Sequence, residues 1–354
     1  MAQINKPSEY FDTKIYTQTG STNNGDTQTI TMDNVGMVWI KNRSFGNYHA
    51  LFDIIRGGNG ANCLLSTNTT GSGQGSDIDS AEGLTFGSST TTIGTDGGGY
   101  GYNNRTGDNY VAWHWRTDGT TGSSNTDGSI TSTVSANTTS GFSIVTWSGT
   151  SSNGTIGHGL GVAPKVIICF GYSSGGNSWT VGHNSLSWNN GIYIEATATF
   201  ANTTLWQNTA PTNNVFSVGS FSGTNSSQSM IAYCFAEKKG FSKFGSYTGN
   251  GNADGTFVYT GFKPAFVLHK RTDIAGHSWI IHDNKRPDYN STNLILHANL
   301  SDAEQGGYDM DLLSNGFKHR VTAGSTNASG GTYIYMAFAE QPLVGTNGVP
   351  ATAR

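Results

Sequence analysis

SMIAYCFAE at 229–237 and TYIYMAFAE at 332–340 are two versions of one segment. In each, both alternating sets of residues are apolar. That is the pattern of a strand covered on both faces, central in a sheet or set against another subunit. A weaker version, NYVAWHW, stands at 109–115. Each is approached through polar residues: NNRTGD from Asn103, GTNSSQ from Gly223 and STNASGG from Ser325. Working outward, a second set of apolar runs opens each unit: GMVWIKNR at 36–43, APKVIICFGY at 163–172 and KPAFVLHKR at 263–271. SWTVGH at 178–183 and SWIIHD at 278–283 lie 100 residues apart, as do WSGTSSNGTI from Trp147 and YTGNGNADGTF from Tyr247.

Self-similarity at a fixed period indicates repeated domains. The chain reads as an N-terminal arm (1–15), a first unit (16–118), a Ser/Thr/Gly-rich connector (119–140), a second unit (141–240), a third (241–342) and a C-terminal tail (343–354). Within each unit, runs of five to eight residues rich in Val, Ile, Tyr, Trp and Phe are bounded by Asn, Gly, Ser and Thr, as strands and turns are. No window sustains helical periodicity. The expected fold class is all-β: three tandem antiparallel β-sandwich domains of jelly-roll or concanavalin-like type, each two packed sheets.

Composition agrees. Of 354 residues 49 are Gly, about twice the ordinary share of roughly 7%, and only 12% are charged. Gly, Asn, Ser and Thr disfavour helix interiors and favour turns. A hydrophobic share of 35% is enough to build cores, so long disorder is not expected. A net charge of −4 and the absence of a basic run give no electrostatic footprint for nucleic acid. No stretch approaches the ~20 apolar residues of a membrane span, so no membrane insertion is expected. The opening MAQINKPSEYF lacks the order of a secretion signal, so the chain is expected to begin as a soluble product of the compartment where it is made.

Aligning the copies tests the residues that could carry chemistry. Cys169 falls opposite Ile40 and His269, Cys63 opposite Leu294, and Cys234 opposite His114 and Ala337. A nucleophile or metal ligand would not exchange with Ile or Ala, so the three cysteines read as small core hydrophobes. The nine histidines offer no HExxH or similar spacing, and no metal is expected. Asp53-x-x-Arg56 recurs as Asp283-x-x-Arg286 and reads as a turn clamp, with His183 and Leu186 in its place in the second unit. Glycoside hydrolysis needs two carboxylates flanking a cleft; Asp77/Asp79, Asp302/Glu304 and Asp309/Asp311 are adjacent in sequence and do not supply that separation. No cofactor is expected; these acids and the loop GNGNADG at 249–255 are where Ca²⁺ could find oxygen ligands, although none has EF-hand spacing. Trp39, Trp113, Trp115, Trp179 and Trp279 lie in apolar runs and read as core. Trp188, Trp206 and Tyr308 lie in polar surroundings. They are the candidates for receptor or glycan contact, because a flat ring on a loop offers apolar area at low entropic cost.

The ordered motifs INKPSEYF, WIKNR, LFDIIRG, GHGLGVAPKVII, FAEKKGFSKFGSYTGNGNADGTFVYTGF, LLSNGFK and NASGGTYIYMAFAE resemble virion structural and tail-fibre-type proteins of marine tailed bacteriophages. The first unit, through VWIKNR and HALFDIIRG, is similar to a concanavalin/laminin-G-like sandwich. The second unit departs from this pattern, with VIICFGY where the others end in basic residues. The resemblance implies a non-enzymatic particle protein located on the virion. A tail fibre or receptor-binding appendage comes first; a head decoration, capsid spike or tail adaptor is the alternative. It implies other virion proteins and a host surface glycan or protein as partners. It also implies a homo-oligomer, a trimer first, to which the two-faced strands and the arm around Tyr10 and Phe11 would contribute contacts. No catalytic residue is carried over.

Overall fold

β-Branched and aromatic side chains suit a pleated, half-buried surface, and in this chain their runs become strands. The computed structural model describes residues 3–20, 26–71, 78–79, 81–97, 99–197, 199–202, 204–287 and 289–342. Among these residues the only helical segments are a 3₁₀ turn at Pro7–Glu9 and α1 (Ser222–Asn225). The first unit holds β1 (Phe11–Thr17), β2 (Gln28–Thr31), β3 (Val35–Asn42), β4 (Ala50–Asp53), β5 (Leu84–Phe86), β6 (Thr90–Ile93) and β7 (Asn109–Arg116). After β8 (Ser123–Asn125) and β9 (Ser132–Asn137) comes the second unit. It holds β10 (Phe142–Ser148), β11 (Gly154–Gly157), β12 (Val166–Gly171), β13 (Thr180–His183), β14 (Asn190–Tyr193), β15 (Thr199–Ala201), β16 (Val215–Val218) and β17 (Ser229–Phe235). The third has β18 (Ser242–Thr248), β19 (Phe257–Tyr259), β20 (Phe262–Arg271), β21 (Ile280–Asp283), β22 (Leu296–His297), β23 (Met310–Leu313), β24 (Gly316–His319) and β25 (Thr332–Pro342).

One antiparallel order is used three times. The main sheets run β1-β7-β3-β4, β10-β17-β12-β13-β14-β15 and β18-β25-β20-β21-β22; in each, the last strand of the unit is inserted between the first and third. A small companion sheet lies over each: β2-β6-β5, β11-β16 and β19-β24-β23. The fold is thus all-β, with packed antiparallel sheets and, among the described residues, no closed barrel. Register aligns the sisters residue by residue: Asp53, His183 and Asp283 oppose Met37, Val166 and Phe266.

Two sequence boundaries move. The stretch 119–140 is no mere connector, because β8 and β9 extend the second main sheet beyond β10. The first unit begins before residue 16, since β1 starts at Phe11, which is 1% exposed among Trp115, Phe266 and Phe338. The arm packs within its own chain: Ile4 is buried and its N–H donates to the Lys239 carbonyl.

Each sandwich has its own core between main and companion sheets. A fourth core lies on the other face of the main sheets, where Trp113 and Trp115, Tyr233 and Phe235, and Met336 and Phe338 meet. This is why both alternating sets of the last strands are apolar. One face covers the companion sheet; the other meets the two sister units.

Candidate functional site

The three sandwiches close on one another through hydrogen bonds that repeat around a ring. His49, Trp179 and Trp279 occupy the same place at the entry to the fourth strand. His49 Nε2–H donates to the His297 carbonyl at 2.9 Å, Trp179 Nε1–H to Ser66 at 3.0 Å, and Trp279 Nε1–H to Tyr193 at 2.8 Å. The tautomer of His49 follows from Trp39 Nε1–H, which can only donate, into His49 Nδ1 at 2.8 Å. Four residues on, a second set runs the other way round. Tyr233 donates to Asp53 at 2.8 Å, Trp113 Nε1–H to Asp283 at 3.0 Å, and His183 Nε2–H to the Tyr335 carbonyl at 3.2 Å. The repeated Asp-x-x-Arg is therefore a clamp with a second task. Arg56 and Arg286 hold Asp53 and Asp283 at 2.6 Å with all four side chains buried, and the carboxylates then receive a neighbouring unit.

The residues predicted for receptor contact do not come together. Trp206 is 1% exposed and belongs to the second sandwich's core, so its assignment as a contact residue is corrected. The polar TTLWQNT surroundings misled, because the ring turns inward over Gly182, where any side chain would strike Trp188 and Trp206. Trp188 is half-buried and meets Trp206 edge-on at 5.7 Å. Tyr308 is half-buried in the third unit beside His297. Exposed aromatic area lies elsewhere: Phe45 and Tyr48 in the loop after β3, Phe257 and Tyr259 on β19, and Tyr289 after β21. The alternation in TFVYTG, with only Val258 buried in the strand, was the available signal for Phe257 and Tyr259.

Tyr259 borders a groove of about 620 Å³, within the usual range for small-ligand sites. Its walls are Gln3 and 237–240 from the turn after β17, Ser242 and Lys243 from β18, and 259–261 before β20. Lys243 pairs with Glu237 at 2.7 Å, and Lys238 Nζ donates to the Thr138 carbonyl at 2.6 Å, while burial lowers the ammonium's pKa. Lys239 is exposed and enters no ion pair among the described residues. An ammonium, a phenol ring and backbone amides suit binding, with no paired nucleophile and base among these lining residues.

The remaining chemical candidates have structural occupations. Cys63, Cys169 and Cys234 are buried free thiols in cores. Glu304 is held by Arg43 at 2.8 Å and Arg286 at 2.9 Å, another join between first and third units. Asp311 receives Arg320 at 2.6 Å, Asp309 accepts from Ser291, and Asp302 from Gln305. In the GNGNADG loop Asp254 is occupied by Lys318 and Arg320. Asp79 accepts the Ala81 and Glu82 amides, and Asp77 lies outside the described residues. Among the described residues no group of three His, Cys, Asp or Glu is arranged to hold a metal ion. The lysines of the VWIKNR-like strands are internal: Lys41 and Lys270 bind the Asn42 and Arg271 carbonyls at 2.7 and 2.8 Å, and desolvation lowers both to about 8.

Sequence comparison finds one family, a domain of unknown function (DUF7483), whose model matches residues 6–342. No curated protein and no solved structure matches the chain. The match spans all three sandwiches and the intervening β8 and β9, so the family corresponds to the closed ring and not to one repeat.

Proposed function

The chain belongs to that family; we propose that it is a non-enzymatic component of a bacteriophage particle, first of all a tail-fibre or receptor-binding appendage. The observation that carries this reading is a ring of three sandwiches closed on a shared core and bearing exposed aromatics on loops and edges, with an open groove beside Tyr259 and Lys239. Binding residues concentrate on segments positioned by a rigid scaffold. A host surface glycan or protein is the proposed partner, with other virion proteins, and a homo-oligomer, a trimer first, is the proposed assembly.

The test is binding of the labelled full chain to a panel of marine bacteria and to arrayed surface glycans. Binding is expected, and Tyr259→Ala with Lys239→Ala should weaken it on the order of tenfold or more, as loss of an aromatic anchor does. No binding to any cell or glycan would count against the appendage.

A second reading, a head decoration, capsid spike or tail adaptor, is favoured by a different observation. The apolar faces that a fibre protomer would offer its partners are already covered inside one chain, leaving a self-contained block suited to tiling or mounting. Gold-labelled antibody on intact virions separates the two: labelling confined to the tail supports the appendage, and labelling over the capsid supports the decoration.

A further inference from the structure

The third sandwich carries a feature that its sisters lack. Between its main sheet and its companion sheet lie His269 on β20, His282 on β21 and His319 on β24, all 1% exposed or less. Their rings touch pairwise, with centroids 5.5, 5.1 and 6.2 Å apart. Strand register gives the equivalent residues as Ile40, Phe52 and Ile93 in the first unit and Cys169, Gly182 and Val218 in the second. Six sister positions are apolar or glycine; only here are three imidazoles stacked into one core.

The imidazoles are poorly satisfied. Among the described residues both nitrogens of His269, Nε2 of His282 and Nδ1 of His319 have no hydrogen-bond partner. Tyr247 OH donates to the Thr326 carbonyl, so its oxygen accepts from His319 Nε2–H at 2.9 Å, and the bare Nδ1 is the atom that would take a proton. The surroundings oppose a charge. From β22 comes His297, and from the loop after β21 the Arg286 guanidinium; both disfavour protonation, the Thr292 contact to His282 favours it, and among the described residues no carboxylate is a leading influence on the trio. From β18 comes the Tyr247 phenol, stacked at 4.7 Å on Tyr333 of β25. Tyr335 of β25 packs on Phe317, and β23 contributes Met310 and Leu312. Burial pushes His319 down to about 3, and His269 and His282 well below their ordinary 6.5.

We propose that this cluster makes the small sheet β19-β24-β23 an acid-released flap, which lifts from the third main sheet on acidification more readily than the companion sheets of the first two units, beside which stand single buried histidines, His114 on β7 and His158 after β11. The sign follows from linkage. The open form binds protons below pH 6.5 and the closed form does not until far lower, so closure weakens as pH falls through that window. Each such histidine favours opening by a factor of ten per pH unit, or about 100-fold between pH 6.5 and 4.5.

Hydrogen exchange on the full chain, corrected for the intrinsic rate at each pH, reads this directly. Amides of β19, β23 and β24 should lose protection by at least about 100-fold between pH 6.5 and 4.5, and by clearly more than those of β2, β6, β11 and β16. The triple variant His269→Ile, His282→Phe, His319→Ile, which installs the first unit's residues, should abolish that selective loss. Should it fail to fold, His269→Ile alone should shrink the loss about tenfold or more. Retained protection of the small sheet at pH 4.5, an equal loss in all three companion sheets, or an unchanged profile in the variants would each overturn the proposal.

Discussion

Trp206 shows most sharply how sequence neighbours and spatial neighbours can differ. It is flanked by Thr, Leu, Gln and Asn, yet its ring fills the space left by Gly182 in the second sandwich. Trp206→Ala should therefore cost about 3–5 kcal/mol, as large aromatic truncations in cores do. Trp188→Ala, at the half-exposed edge of the same pair, should cost clearly less. Denaturant titration of both variants checks the difference, and equal losses would mean that the two rings share the core evenly. Asn103, Asn225 and Asn327 carry a similar lesson. All are fully buried, one in each polar approach to a last strand. Asn225 accepts from Trp147 Nε1–H and the Thr150 amide and donates to Ser152; Asn327 accepts from the Asn250 amide and donates to Asn252 and Val321. Each amide satisfies backbone groups that a buried loop would otherwise leave unpaired. The recurring asparagine is visible in the sequence, but its burial is not, because Asn is equally at home in exposed turns.

Among the elements, the repeated end of the first strand makes a definite demand. Gly149 in WSG and Gly249 in YTG sit 100 residues apart, and a Cβ at either would lie 1.8 Å from the Ser226 carbonyl oxygen or 2.3 Å from that of Ala328. Because the obstruction is backbone, it cannot swing aside. Gly149→Ala and Gly249→Ala should each destabilise by about 1–3 kcal/mol, the range for overpacking. Thermal unfolding of both variants tests this, and a neutral result at both sites would show that the approach relaxes. The segment 119–140 teaches the converse. Its SSN and STVSAN runs contain little apolar surface, so composition suggested a linker, yet the second pairs along β10 and covers its edge, and the first pairs along the second. Backbone hydrogen bonding to an existing strand requires no apolar side chains.

For the molecule as a whole, the central core decides what can exist alone. Apolar residues of all three main sheets meet there, and the two rings of hydrogen bonds join each unit to the next and the third back to the first. This is a head-to-tail contact that closes at three, made within one polypeptide. A chain ending after residue 240 should leave two apolar sheet faces bare and the joins from His49, Trp113 and His183 without acceptors or donors. It should associate or bind hydrophobic dyes; a monodisperse product with native near-ultraviolet dichroism would show that the sandwiches stand independently. The sequence by itself determined the all-β class, the threefold repetition and the core role of the cysteines, because strand periodicity, turn composition and residue-by-residue alignment of copies are local properties of the chain. Where the last strands' second apolar face goes, whether a ring such as Trp206 turns in or out, and that three lone histidines on β20, β21 and β24 share one interior were decided only by tertiary structure. Those outcomes depend on which surfaces meet between segments well separated along the chain, and no local pattern encodes that.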